Sequence, residues 1–212
     1  MITQLRHSLI SSNSDFLNNK SYVEFGVYRG TSMIEIYNLY NKLLCPCNSN
    51  FYGFDAFLGL PPEPTDMNNP TYWTKERPNC LDFNLRGIIP PILQNKPNLT
   101  IISGWFKEVL THQFAMSLNQ KIGLLHIDCD IYSSAYEALD FCFKYNLIES
   151  GTIIMYDDWA GYWEKVGENG DFLVGEGLAH KQIMDKYNKE CKSFTKHIIL
   201  PQAYEIAVFI VK

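Results

Sequence analysis

The sequence predicts an α/β protein built on a mostly parallel sheet, and three observations lead there. Short runs of strand-forming residues alternate with stretches of helical periodicity along the chain, as repeated βα units require. Acids (Asp55, Asp128, Asp157) stand where those strand runs give out, which in such sheets is the end that meets ligands. The last two apolar runs are separated only by Pro201-Gln202, too short for a parallel crossover, so the final strand should run backwards. At 212 residues, with 46% hydrophobic and 19% charged, the chain has material for one full core and not for two equal domains.

Residues 1–20 come first and are expected to form an N-terminal helix or lid. Tyr22–Val27 reads as the first strand and runs through Gly26 and Gly30 into an apolar-periodic helix, Ser32–Leu44. A second strand, Asn50–Phe54, is closed by Asp55. Residues 56–80 are rich in Pro and Asn and too long for a plain connection, which predicts a substrate lid loop. There follow a strand at Leu99–Ser103, a helix at Val109–Leu118, a strand at Ile122–Ile127, a helix at Ser133–Tyr145 and a strand at Thr152–Tyr156. Beyond a Gly-rich segment, Leu178–Tyr187 reads as a helix, and FTKHIIL and AYEIAVFIVK as the closing strands.

Composition removes several classes of partner. Net charge is −5 and no cluster of Lys or Arg interrupts it, so a nucleic acid backbone would find little counter-charge. No stretch approaches the ~20 apolar residues of a membrane span, and the N-terminus lacks the apolar core of a signal peptide. A cytoplasmic protein with no membrane partner is expected. Cys45, Cys47, Cys80, Cys129, Cys142 and Cys191 form no CxxC pair, which argues against a disulfide framework or a zinc site. Asn98-Leu99-Thr100 is a glycosylation sequon that, without an export signal, reads as chance.

The first strand-to-helix turn is Glu24-Phe25-Gly26-Val27-Tyr28-Arg29-Gly30. A dinucleotide site wants Gly-x-Gly-x-x-Gly, and Tyr28 stands where the middle glycine would be, so a pyrophosphate is poorly matched. Asp55, ending the second strand, suits the hydroxyls of a ribose. Adenosine without a diphosphate points to S-adenosylmethionine, although Gly26 and Gly30 also read as plain turn glycines and Asp55 as a cap.

Asp157 follows Asp128 by 29 residues, the length of one βαβ unit. If their strands are neighbours they lie ~4.8 Å apart, and the two carboxylates reach a common point. Crowded acids repel unless one is protonated or a cation lies between them. Oxygen ligands favour a hard ion, Mg²⁺ first, with Mn²⁺ or Ca²⁺ as alternatives. The competing reading is that Asp130 caps the next helix and Asp157-Asp158 merely ends a strand. His126, between apolar neighbours in a strand, reads as a structural histidine.

Five stretches, EFGVYRGTS (24–32), YGFDAFLGLPP (52–62), SGWFKEVL (103–110), LLHIDCDIYSSAYEAL (124–139) and IIMYDDW (153–159), together resemble the TylF-like macrocin O-methyltransferases, S-adenosylmethionine-dependent sugar O-methyltransferases. The resemblance implies a class I methyltransferase (Rossmann-like) three-layer sandwich whose seven-stranded, mostly parallel sheet has an antiparallel last strand. It implies cofactor contacts from Glu24, Gly26, Gly30, Thr31 and Ser32 of the first turn, from Asp55, and from Ser103, Trp105 and Phe106 near the adenine. Trp105 and Phe106 also read as core aromatics. By the same resemblance Asp128, Asp157 and Asp158 hold Mg²⁺, Asp130 is the general base, and the assembly is a homo-oligomer, a dimer. The sequence departs from the pattern at Cys129, where glycine is usual, and at Tyr28, where tryptophan is common.

The function expected is transfer of a methyl from S-adenosylmethionine to a hydroxyl of a sugar or glycosylated metabolite. Two rivals stand beside it. Asp128-Cys129-Asp130 also fits the Asp-x-Asp motif by which glycosyltransferases hold a divalent ion and a nucleotide-sugar, and a non-catalytic S-adenosylmethionine-binding module would keep the same turn.

Overall fold

The computed structural model describes residues 2–61, 84–159, 175–199 and 205–212. Two helices, α1 (Ile2–Ser12) and α2 (Ser14–Leu17), open the chain, followed by β1 (Ser21–Phe25), α3 (Thr31–Leu43) and β2 (Phe51–Asp55). Then come β3 (Leu99–Ser103), α4 (Phe106–Val109), α5 (His112–Ser117), β4 (Ile122–Ile127), α6 (Tyr132–Lys144) and β5 (Ile153–Tyr156). The described part closes with α7 (Gly175–Tyr187), β6 (Cys191–Ile199) and β7 (Glu205–Val211).

These strands form one seven-stranded sheet in the order β3-β2-β1-β4-β5-β7-β6. Strand β7 runs antiparallel to both β5 and β6, the reversal expected at the end of the chain. Central strands β1, β4 and β5 are buried along their whole length, so they are mostly apolar on both faces, the exceptions in β1 and β4 including the buried Glu24 and His126. Successive side chains still point to opposite faces. Val23, Phe25, Leu125 and Ile127 pack with Leu139 of α6 and Ile183 of α7. Tyr22, Leu124 and Met155 pack with Leu9 and Ile10 of α1 and Met33 and Ile36 of α3 on the other. Helices thus cover both faces, in three layers.

The order reverses between β1 and β4, the two strands that lie side by side at the centre and lead to opposite edges. Such a switch point opens a crevice at the carboxyl ends of the strands. The expected helix Val109–Leu118 is divided into α4 and α5, because Thr111 starts a new helix by accepting a hydrogen bond from the Phe114 amide at 3.1 Å, a favoured N-cap role. Helix α7 begins at Gly175 and not at Leu178, which brings Glu176 into a helix. Of the lid expected over 56–80, residues 62–80 lie outside the described residues. Among the described residues, no helix is long and apolar enough to cross a membrane.

Candidate active site

The turn after β1 explains its own glycines. Gly26 has φ +89°, and a Cβ there would lie 1.7 Å from the carbonyl oxygen of Asp128, so only glycine lets the end of β1 pass the end of β4. Gly30, at φ +80°, would meet Leu93 at 2.7 Å. Asp55 shapes the same turn from β2. Its Oδ2 accepts the amides of Val27 at 2.8 Å and Tyr28 at 2.7 Å, and its Oδ1 accepts that of Phe57 at 2.6 Å. Burial raises the Asp55 pKa, and these three amides pull against it. Glu24 is fully buried and accepts hydrogen bonds from the hydroxyls of Ser32, at 2.6 Å, and Tyr22.

A cavity of about 610 Å³ lies at this end of the sheet, within the range of small-molecule sites. Of the residues expected to serve a site, Gly26, Asp55, Trp105, Phe106, Asp128, Asp130, Asp157 and Asp158 all line it. Glu24, Gly30, Thr31, Ser32 and Ser103 do not, and Glu24 and Ser32 bond to one another behind the turn. Phe106 serves as core and wall at once, since its ring also meets Phe25 edge-on at 5.3 Å.

Sheet register brings the acids together. Ile127 of β4 pairs with Tyr156 of β5, and the Asp157 amide donates to the Ile127 carbonyl at 3.1 Å, so Asp128 and Asp157 leave their strands side by side. Asp130 sits at φ +65°, a left-handed conformation that Asp tolerates better than most residues. The N-cap of α6 is Ile131, with no side-chain cap bond, so Asp130 does not cap that helix. Its carboxyl group and that of Asp158 act directly on each other's titration.

Two cations belonging to the protein face this group from the α1 side. His126, completely buried, lies 3.0 Å through Nε2 from Asp157 Oδ1, and through Nδ1 3.1 Å from the Tyr22 hydroxyl and 3.5 Å from Glu24 Oε2. Burial alone would lower its pKa, but Asp157 and Glu24 outweigh that and raise it to about 10. Arg6 of α1 bonds Glu35 Oε2 through Nη1 at 2.5 Å, and its Nη2 lies 3.7 Å from Asp157 Oδ2. Burial pushes the Asp157 carboxyl up, yet His126 and Arg6 bring it below its ordinary value. Asp158, opposed first by burial and then by Asp157, rises to about 7. Asp128 and Asp130 are driven well above the carboxylate range, by burial first and by neighbouring acids next.

Sequence reasoning therefore missed half of the electrostatic answer. It set His126 apart as structural, and the histidine is indeed satisfied, but it also offers a ligand atom within 4.8 Å of those of Asp128 and Asp157. The two-residue period of β4, which puts His126 on the face that Asp128 continues, was the available signal. A fifth acid also escaped notice: Glu176 of α7 is fully buried, accepting the Cys129 amide at 3.0 Å and the Asp158 amide at 3.3 Å. Its signal was the flanking pair Gly175 and Gly177 in a helix start. As for an ion, Asp128, Asp157 and Asp158 all line the cavity, but among the described residues the acids whose ligand atoms come within 4.8 Å of one another, together with His126, are Asp128 and Asp157; two such oxygen donors suit a hard divalent cation, whereas His126 Nε2 is already engaged by Asp157.

The macrocin-O-methyltransferase (TylF) family matches residues 3–172. Among solved structures, the O-methyltransferase NovP superposes with a TM-score of 0.67 at 15% identity, over 98% of this chain and 78% of that one. CalS11, the calicheamicin methyltransferase, gives 0.61 at 16% identity, over 97% and 76%, and its apo structure is described as a TDP-rhamnose 3'-O-methyltransferase. An O-methyltransferase from Bacillus cereus, in complex with SAH, gives 0.56 at 12% identity, over 98% and 80%. At these identities the structural likeness is one of fold. No curated protein sequence matches the chain. With a match that spans most of its length, the chain belongs to the macrocin-O-methyltransferase (TylF) family of S-adenosylmethionine-dependent O-methyltransferases.

Proposed function

We propose that this protein transfers the methyl of S-adenosylmethionine to a hydroxyl of a sugar or glycosylated metabolite, with Mg²⁺ held by Asp128, Asp157 and Asp158 and Asp130 as general base. One observation carries the reading: four acids from the ends of β4 and β5 line the same cavity as the Gly26 turn and Asp55. Bound there, S-adenosylmethionine supplies an electrophilic methyl on sulfur and a divalent ion supplies positive charge that lowers the pKa of a neighbouring hydroxyl. The chain's own residues do the rest. Asp55 and the turn it fixes hold the ribose, and Trp105 and Phe106 offer flat apolar surface to the base and keep water out. With a divalent ion offsetting the burial and the neighbouring acids that otherwise raise its proton affinity, the Asp130 carboxylate would take the hydroxyl proton as the acceptor oxygen gains the methyl.

Descriptions of NovP and CalS11 as enzymes that methylate oxygen, one of them on a nucleotide-linked rhamnose, support the sugar class. Nothing in the family match favours the glycosyltransferase reading of Asp128-Cys129-Asp130, and that reading is set aside. Asp130→Asn keeps the shape of the side chain and removes the base, so turnover should fall ~10²- to 10⁴-fold while calorimetry shows unchanged cofactor affinity. Turnover equal to wild type would remove Asp130 from its role. The acceptor class is tested by mass spectrometry of nucleotide sugars and glycosides incubated with enzyme and cofactor, looking for the gain of one CH₂. Methylation of simple phenols and of no sugar would overturn it.

A further inference from the structure

We propose that Glu176 is a positioning residue for methyl transfer, its buried carboxylate clamping the amide of Cys129 to the amide of Asp158 and so fixing the spacing between Asp130 and its neighbour Asp158. The proposal rests on the roles given above to Asp130 and to the three ion-holding acids.

The need for a clamp follows from where the sheet stops. Pairing between β4 and β5 ends at Ile127 and Tyr156, and the last backbone bond between the two strand ends runs from the Asp157 amide to the Ile127 carbonyl. Beyond that point the amides of Cys129 and Asp158 lie outside the strand pairing, and buried amides must find acceptors. Glu176 provides both, Oε1 at 3.0 Å from the Cys129 amide and Oε2 at 3.3 Å from the Asp158 amide. Cys129 lies between Asp128 and Asp130, and Asp158 follows Asp157. One side chain from a third element thereby joins the two acid-bearing segments.

The local sequence suits the task. Gly175 takes φ +54°, and a Cβ there would come within 3.9 Å of the Asp130 carbonyl, so the first turn of α7 lies directly against the segment it anchors. Both side-chain oxygens of Glu176 accept, which matches two converging amides, and these amides pull against the burial and the neighbouring Asp158 that push its carboxyl well above the ordinary range. Glutamine would satisfy one amide and turn its own NH₂ toward the other. The choice is costly, since a fully buried acid beside Asp158 and Asp130 adds to a crowd that already repels itself. Such a cost is reasonable where geometry is the product, because a displacement of 1 Å can lower a rate by ~10²-fold.

Two variants test the clamp, Glu176→Ala and the gentler Glu176→Gln. In the ion-free and cofactor-free proteins, amide hydrogen exchange should quicken at Cys129 and Asp158 in Glu176→Ala, at one of the two in Glu176→Gln, and along β4 in neither. Mn²⁺ titrations followed by EPR should show affinity weakened ~10- to 100-fold in Glu176→Ala, as for lost support of metal ligands. Its kcat should fall about 10²-fold with the KM for S-adenosylmethionine within twofold, and Glu176→Gln should lie between. Should Glu176→Ala fail to fold, Glu176→Gln alone decides: native exchange at both amides together with native kcat overturns the proposal. So does a folded Glu176→Ala with native kcat, or one in which kcat, cofactor KM and melting temperature worsen in proportion, as a merely structural role requires. If wild type binds no Mn²⁺ and Asp130→Asn turns over normally, the assigned chemistry fails separately, and the exchange result still shows whether the clamp exists.

Discussion

Arg6→Met is the most exacting test of how the site balances its charge. Methionine keeps most of the apolar stem and removes a guanidinium that is 5% exposed, 2.5 Å from Glu35 Oε2 and 3.7 Å from Asp157 Oδ2. Removing one partner of a buried ion pair costs ~3–5 kcal/mol, because the other charge is left behind. Here Glu35 and Asp157 retain 20% and 21% exposure of their side chains, and Asp157 keeps His126, so the lower end applies, about 3 kcal/mol. For a chain of this length each kcal/mol moves the melting midpoint ~2–4 °C, which gives a fall of about 6–12 °C. Circular dichroism melts near neutral pH in chelator measure it directly. Repeating the melts with Mg²⁺ adds a second reading, since Asp157 has lost a cation and a bound ion should restore more of the midpoint in the variant than it adds to wild type. A midpoint within about 2 °C of wild type would refute the claim that Arg6 neutralises this cluster.

Gly26→Ala should be worse for binding than its size suggests. The left-handed φ costs ~1–2 kcal/mol and a Cβ placed 1.7 Å from the Asp128 carbonyl adds ~1–3 kcal/mol of overpacking, so both cofactor affinity by calorimetry and thermal stability should drop. Native affinity would show that the two strand ends can part freely. His180 gives a pH prediction away from the acids: buried, hydrogen-bonded to Tyr156 at 2.7 Å, its pKa is lowered by burial from 6.5 to about 4. A depressed histidine favours the neutral form in the fold, so its contribution is complete above pH ~6.5 and is lost as pH falls toward ~4, on the order of 3 kcal/mol in all. Urea denaturation at both ends of that window should show His180→Gln losing less stability on acidification than wild type by that amount, and equal losses would contradict the assignment.

Much of the fold was legible because local pattern and global packing agree. Strands β3 and β4 fall on the residues their apolar runs mark, and β7 runs antiparallel to β5 and β6, as the short gap between the last two apolar runs of the sequence predicts. Asp128 and Asp157 were legible as neighbours because one βαβ unit leaves adjacent parallel strands few other arrangements. What escaped is set by partners far along the chain. Arg6 in α1 reads as a surface charge until the fold carries it to Asp157, 151 residues away. Glu176 likewise gains its meaning only from two amides in another layer. Thr111 was readable in principle, since a threonine before His112 is an ordinary helix start, but the apolar periodicity on both sides of it masked the break.

The three amides that converge on Asp55 have a consequence for how the cofactor is received. A loop whose donors are already committed to its own protein needs no ligand to acquire its shape, so under the proposed assignment the ribose meets a mould cast in advance and association loses little to ordering. Affinity across nucleoside analogues should then follow the groups each analogue carries. Discrimination among acceptors would fall to other walls of the cavity, leaving the donor half interchangeable between relatives that modify different molecules.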